Sequence, residues 1–130
     1  MLQWNKKYEV GIPEIDEQHQ HLFVLGNQIY ALLKDSLRVD KYDAIVALIH
    51  ELKEYTKYHF SAEEAIMLKI KYRGYFKQKT QHDDFIAVLD SIDLNAIDND
   101  QDKHIEKLLG VVFDWVLEHI IKDDTQIIKG

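Results

Sequence analysis

The chain has 130 residues, 46% of them hydrophobic, which is enough for one domain around one core and too few for two ordinary ones. Its 16 basic and 23 acidic side chains leave a formal charge of −7 with no basic run, which argues against nucleic acid or an anionic membrane surface as partner. Cysteine is absent, so disulfides, zinc–thiolate sites and iron–sulfur clusters are excluded. No apolar run has membrane-spanning or signal-peptide character, so a soluble, cytoplasmic protein is expected.

A single Pro and five Gly suit a mostly helical chain. Residues 1–15 form an arm whose Trp4 and Tyr8 predict packing on the body; Gly11, Ile12 and Pro13 complete it. The first helix is predicted over about 16–35, with Asp16 as N-cap and Glu17 in its first turn. Its apolar stripe reads His19, Leu22, Gly26, Ile29, Leu33, in steps of three and four. A polar break from Lys34 to Asp40 follows, and Asp40 can cap a second helix over about 41–69. That helix carries the stripe Ile45, Leu48, Leu52, Tyr55, His59, Ala62, Ile66, with Glu63 one turn beyond His59. The turn Lys71-Tyr72-Arg73-Gly74 comes next, Gly74 offering backbone freedom. A third helix over about 75–92 presents Tyr75, Gln78, His82, Phe85, Leu89 and Ile92. An acidic loop from Asp93 to Asp102 leads to a fourth helix over about 102–121, with Ile105, Leu108, Val112, Trp115 and His119 on its stripe and Leu109 and Val116 beside it. Asp124 lies five residues after His119, about 140° away on a regular helix, so both can face one point only if the helix end unwinds or widens. With no repeat and no internal boundary, these elements predict an all-α, up-down-up-down four-helix bundle in one domain, residues 1–130.

Each helix places an imidazole where its stripe asks for an aliphatic residue. A lone histidine on an apolar face is ordinarily a satisfied core residue, but here that reading must hold independently on four helices, and it leaves Glu63 buried as well. A hydrogen-bonded network or a metal resolves such a cost, and imidazoles and carboxylates converging inside a bundle match metal sites built from facing helices. His19, His59, His82, His119, Glu63 and Asp124 supply four nitrogens and two carboxylates. That set exceeds one four-coordinate zinc and suits two metals sharing carboxylate bridges; iron, manganese and zinc all accept such donors. His21, His50 and His104 fall off the stripes and read as surface histidines, and Glu64 reads as a solvated flank residue. Trp115, Phe85, Ile66, Met67 and Ile120 lie within a turn of the candidate ligands, as core that also walls the site. No nucleophilic triad and no phosphate-cradling Gly-rich loop occurs.

The run Ile15-Asp16-Glu17-Gln18-His19, then His59-Phe60-Ser61-Ala62-Glu63-Glu64 with Met67, then His82-Asp83-Asp84-Phe85, then Trp115-Val116-Leu117-Glu118-His119-Ile120 with Asp124, resembles the hemerythrin family, its bacterial single-domain members above all. The resemblance implies a non-haem di-iron centre that binds dioxygen reversibly at one iron. By position, His19 and His59 would hold the oxygen-binding iron, and His82 and His119 the other. Glu63 and Asp124 would bridge them together with an oxo or hydroxo group, and Trp115 and Ile120 would line the oxygen pocket. Where the family has a histidine four residues before His82, this chain has Gln78, an amide and a weaker donor. Gln78 then binds directly, a water fills the gap, or the second iron is held loosely. The resemblance makes the chain an oxygen carrier or sensor rather than an enzyme, working alone as a monomer or small homo-oligomer. Two rivals stand beside it: an oxidase, peroxidase or nitric-oxide-reactive site opened by Gln78, and a non-catalytic metal-stabilised sensory bundle.

Overall fold

The computed structural model describes residues 2–35, 41–91 and 102–127. The expected cap Asp40, Ile92, the loop from Asp93 to Gln101 and the side chain of His104 lie outside the described residues. Four helices make the body: α1 (Pro13–Lys34), α2 (Lys41–Lys69), α3 (Tyr75–Asp90) and α4 (Asp102–Lys122). Single 3-10 turns sit at Lys6–Tyr8 and Asp124–Gln126, and there is no strand among the described residues. α1 packs along α2 and α4, and α2 along α3, giving the up-down-up-down bundle that the four stripes predict. No described helix is long and apolar enough to cross a membrane.

α1 begins at Pro13, ahead of the expected start at Asp16. Proline has φ already fixed near the helical value and has no N–H to leave unpaired, so the first turn suits it. Asp16 is therefore inside the helix, where its carboxylate accepts the N–H of Val10 at 2.7 Å and that of Gly11 at 3.3 Å. Gly11 takes φ 94°, a left-handed value that a side chain resists, and this bends the arm back over α1. Trp4 and Tyr8 then pack with Phe23 at ring separations of 5.3 and 5.6 Å. Leu2 and Asn27 exchange two hydrogen bonds of 2.8 Å, tying the start of the arm to the middle of α1.

The buried face of α2 runs through Ile45, Ile49, Leu52, Thr56, His59, Phe60, Glu63 and Met67. Leu48, Tyr55, Ala62 and Ile66 of the expected stripe form its half-buried edge instead. Spacings of three and four admit two neighbouring tracks on one helix, and packing against α1 and α3 selects between them. Thr56, the polar member of the true track, satisfies its hydroxyl by donating to Leu52 O at 2.7 Å. α2 ends in a Schellman closure: Tyr72 N–H donates to Met67 O at 2.9 Å and Lys71 N–H to Leu68 O at 3.2 Å. The left-handed position falls on Lys71 (φ 56°), not on Gly74. Gly74 has an ordinary φ of −82° and serves another need, because a Cβ there would stand 2.6 Å from the Tyr72 ring.

Candidate metal centre

At one end of the bundle the apolar core gives way to seven buried polar residues from all four helices and the turn after α4. His19 (α1), His59 and Glu63 (α2), Gln78 and His82 (α3), His119 (α4) and Asp124 are each 5% exposed or less. Their donor atoms form two groups whose members lie within 4.8 Å of one another: His19, His59, Glu63 and Asp124, and His82, His119 and Asp124. Asp124 belongs to both. Its Oδ2 is 3.1 Å from His19 Nε2 and its Oδ1 3.2 Å from His119 Nε2. Glu63 sits with the first group, with Oε1 at 2.6 Å from His59 Nε2 and 4.0 Å from His19 Nε2.

Asp124 reaches this point because α4 stops being regular. After Lys122 the chain passes Asp123 at φ −112°, ψ −52° and tightens into the 3-10 turn Asp124–Gln126. The helix break turns a five-residue separation, which a regular α-helix would splay apart, into a shared focus with His119.

Outer partners fix how the imidazoles of His59 and His82 present themselves. Glu64 Oε2 accepts from His82 Nδ1 at 2.8 Å, and Gln18 Oε1 accepts from His59 Nδ1 at 2.7 Å. Asp123 Oδ2 lies 3.3 Å from His119 Nδ1. These oxygens only accept, so at His59 and His82 the proton of the neutral ring sits on Nδ1 and the Nε2 lone pair points inward, the tautomer a metal requires; Asp123 stands near His119 Nδ1 without a hydrogen bond. Glu64 is thus not the solvated flank residue expected from sequence: it is 15% exposed and bound to His82, with Lys79 Nζ at 3.4 Å from its other oxygen. Gln18, Asp123 and Thr56 lie off the expected stripes, and the pattern gave no sign of them. Of the off-stripe histidines, His50 is exposed, and His21 is half-buried with its ring 4.4 Å from Tyr55.

Aromatic rings hold the second group in place. Phe60 stacks on His82 at 3.8 Å with 3° between planes, and Trp115 lies between Phe85 at 4.0 Å and His119 at 4.6 Å. Trp115 and Ile120 join Leu22, Phe60 and Val116 around a small cavity of about 10 Å³ beside His19 and His59. Met67 is fully buried near Glu63, whereas Ile66 is only half-buried.

The charge distribution asks for a cation. Both oxygens of Glu63 and both of Asp124 are buried, and their near neighbours are the imidazoles of His59, His19 and His119, which neutralise them only when protonated. Carboxylates in a dry core cost several kcal/mol unless something positive sits between them. Protons show the same demand. Burial disfavours a charged His19, yet Asp124 and Glu63 outweigh it and raise its pKa from 6.5 to about 9. Glu63 is opposed by its own burial, but His59 and His19 hold it well below the ordinary carboxylate range. Burial lowers His82, whereas at His119 Asp124 overcomes burial and raises it. The opposite directions are physical, since their Nε2 atoms are 3.1 Å apart and one proton fills the space between them. A divalent cation in each group would replace those protons and pair the Glu63 and Asp124 oxygens and the inward ring nitrogens. With no thiolate, the donors suit iron, manganese or zinc.

Fold and site together define the class: a four-helix bundle with a buried histidine–carboxylate centre able to hold metal. Comparison with known proteins narrows it. Residues 10–129 match the family model described as the hemerythrin HHE cation binding domain. The chain is 44% identical over 128 residues to a bacteriohemerythrin of Clostridium acetobutylicum, covering 98% of this chain and 99% of that one. It is 31% identical over 121 residues to a hemerythrin chain of Sipunculus nudus, covering 90% of this chain and 82% of that one. A crystal structure of wild-type hemerythrin superposes with a TM-score of 0.78 at 21% identity, covering 96% of this chain and 93% of that one, a likeness of fold. The chain belongs to the hemerythrin family.

Proposed function

We propose that the protein is a non-haem di-iron carrier that binds dioxygen reversibly at one iron, for oxygen storage, delivery or sensing. One observation carries the reading: two groups of buried, inward-facing donors share Asp124, and their carboxylates face only the histidines of the same groups. His19 and His59 would hold one iron and His82 and His119 the other. Asp124 and Glu63 would bridge them with a solvent-derived oxo or hydroxo group. Family membership supports iron over the other metals these donors accept. When bound, the iron pair supplies the electrons that oxygen takes up on binding and returns on release.

The chain's own residues supply selectivity and rigidity. Leu22, Thr56, Phe60, Trp115, Val116 and Ile120 wall a small cavity of about 10 Å³ next to His19 and His59, at the lower limit for a single water, so a diatomic ligand enters as the wall gives slightly. Its mostly apolar lining favours a diatomic gas over water and over charged reductants. Trp115 is locked by its stacking on Phe85 and His119, so its part of the wall holds its shape as the pocket fills and empties. Gln18 and Glu64 hold the rings of His59 and His82 by their outer nitrogens, which keeps the inward lone pairs aimed.

Protein made with ample iron and purified without chelators should contain about two irons per chain. After anaerobic reduction it should gain a visible absorption band on exposure to oxygen and lose it under argon, through repeated cycles. Oxygen that is consumed and not recovered would overturn carriage in favour of an oxidase. Iron-free protein from iron-replete cells would overturn the centre itself.

A further inference from the structure

We propose that Gln78 is a direct metal ligand through its side-chain oxygen, and that the position it shares with His82, His119 and Asp124 is the weaker of the two and fills second. The inference rests on the di-metal reading above and concerns this chain's own departure from the family's histidine. Gln78 stands one turn before His82 on α3 and is 2% exposed. Its Oε1 is 3.1 Å from His119 Nε2, as close as Asp124 Oδ1 at 3.2 Å and His82 Nε2 at 3.1 Å.

The direction of the amide is set by chemistry. Gln78 Nε2 donates to the main-chain oxygen of Asp123 at 3.2 Å. A carbonyl oxygen only accepts, so the amide nitrogen must be the atom facing it and the oxygen must face inward. His82 has Nδ1 committed to Glu64 and so presents its Nε2 lone pair, and His119 turns its Nε2 to the same point, 3.1 Å away. Without metal a single proton on His119 Nε2 serves this point, shared between Gln78 Oε1 and His82 Nε2. With that proton displaced, two imidazole lone pairs, a carboxylate oxygen and the amide oxygen would face one cation. A water standing in for the missing histidine would need the amide set back by the diameter of that water. Instead the amide oxygen is as close to His119 Nε2 as Asp124 Oδ1 is, so of the three outcomes open to Gln78 the geometry favours direct ligation.

The consequence is an asymmetric pair. An amide oxygen is neutral and a weaker, harder donor than the imidazole it replaces, so this position gives up affinity that the His19–His59 position keeps. The same side is also the accessible one. A surface cleft of about 300 Å³, lined by Lys77, Gln81, Trp115 and Asp123 among others, opens onto His119. The buried Oε1 of Gln81, one of its lining residues, has no hydrogen-bond partner.

Cobalt(II) titration of the full-length metal-free protein, followed by its ligand-field absorption against a competing chelator, tests this without any oxygen chemistry. Wild type should take up two equivalents in resolved steps. Gln78→His and Gln78→Glu should each tighten the second step by about tenfold or more, and Gln78→Leu should weaken it by as much. The first step should stay in place in all three. A Gln78→Leu variant that is folded by circular dichroism and titrates like wild type overturns ligation by Gln78. If that variant does not fold, the other two decide, and an unchanged second step in both overturns it. Two equally tight steps in wild type overturn the asymmetry. Wild type that takes up no cobalt overturns the di-metal reading itself, and the ligand assignment with it.

Discussion

Metal-free protein should lose stability as the pH rises from 6.5 towards 9, and His19 should be the cause. The ring is buried at 1% exposure, with Nε2 3.1 Å from Asp124 Oδ2 and 4.0 Å from Glu63 Oε1. In the folded chain its pKa is about 9, against 6.5 when unfolded. The folded state therefore binds the proton more tightly. Its contribution is complete below pH 6.5 and is lost progressively as the pH climbs through about 9. The interval of about 2.5 pH units, at about 1.4 kcal/mol each, caps the loss at about 3.5 kcal/mol. Glu63 works at the other end: its folded pKa is depressed, so its contribution is present above its usual 4.5 and disappears in acid. Chelator-treated, desalted protein should accordingly be most stable in mildly acidic buffer. Urea unfolding across the range, read by circular dichroism, should show the midpoint falling on the alkaline side. His19→Phe should flatten that slope. Reloading with metal should abolish or reverse it, because a ligating imidazole must be neutral and binding then releases the proton. Metal-free wild type with constant stability between pH 6.5 and 9 would refute the reasoning.

Glu64→Gln keeps an acceptor for His82 but removes the charge that makes its ring a stronger donor. The second cobalt step should weaken by about 10–100-fold while the first is unmoved; equal effects on both steps would mean that Glu64 acts on the bundle as a whole. Gly26→Ala should destabilise by about 1–2 kcal/mol in urea, since a Cβ would meet the buried Phe113 ring at 2.5 Å and Leu2 at 2.8 Å. With a clash this close the overpacking falls in the upper part of its usual range, about 2–3 kcal/mol, and outweighs the gain of about 1 kcal/mol in helix propensity. A more stable variant would show that the ring has room to retreat.

The four helices and their imidazoles were legible in the sequence because a period of 3.6 makes a polar residue on an apolar stripe conspicuous. Elsewhere the same pattern left choices that only packing makes. On α2 it could not separate the track through Ile49 and Thr56 from the one through Leu48 and Tyr55, a single residue apart. Composition pointed to Gly74 for the turn, yet the left-handed residue is Lys71, because its place is fixed by where the last carbonyls of α2 need donors. Asp16 reads as a cap in any helix start, and only the folded arm shows its carboxylate reaching back to Val10 and Gly11.

The outer partners of the histidines follow a rule that the sequence does contain. Consecutive helical residues are about 100° apart, so when one faces the centre of a bundle its neighbour faces the seam with the next helix. Gln18 precedes His19 and bonds His59 of α2; Glu64 follows Glu63 and bonds His82 of α3. Asp123 precedes Asp124, meets His119, and through its main-chain oxygen holds the amide of Gln78. Each candidate carboxylate, and His19, thus stands beside a polar residue that steadies another of the inward-facing groups. A polar residue one position off a stripe is ordinary on any surface helix, which is why these three are inconspicuous singly. Taken beside the candidate ligands they become predictable, and they explain why replacing one histidine by Gln78 leaves the site in register: the amide inherits a support already in place.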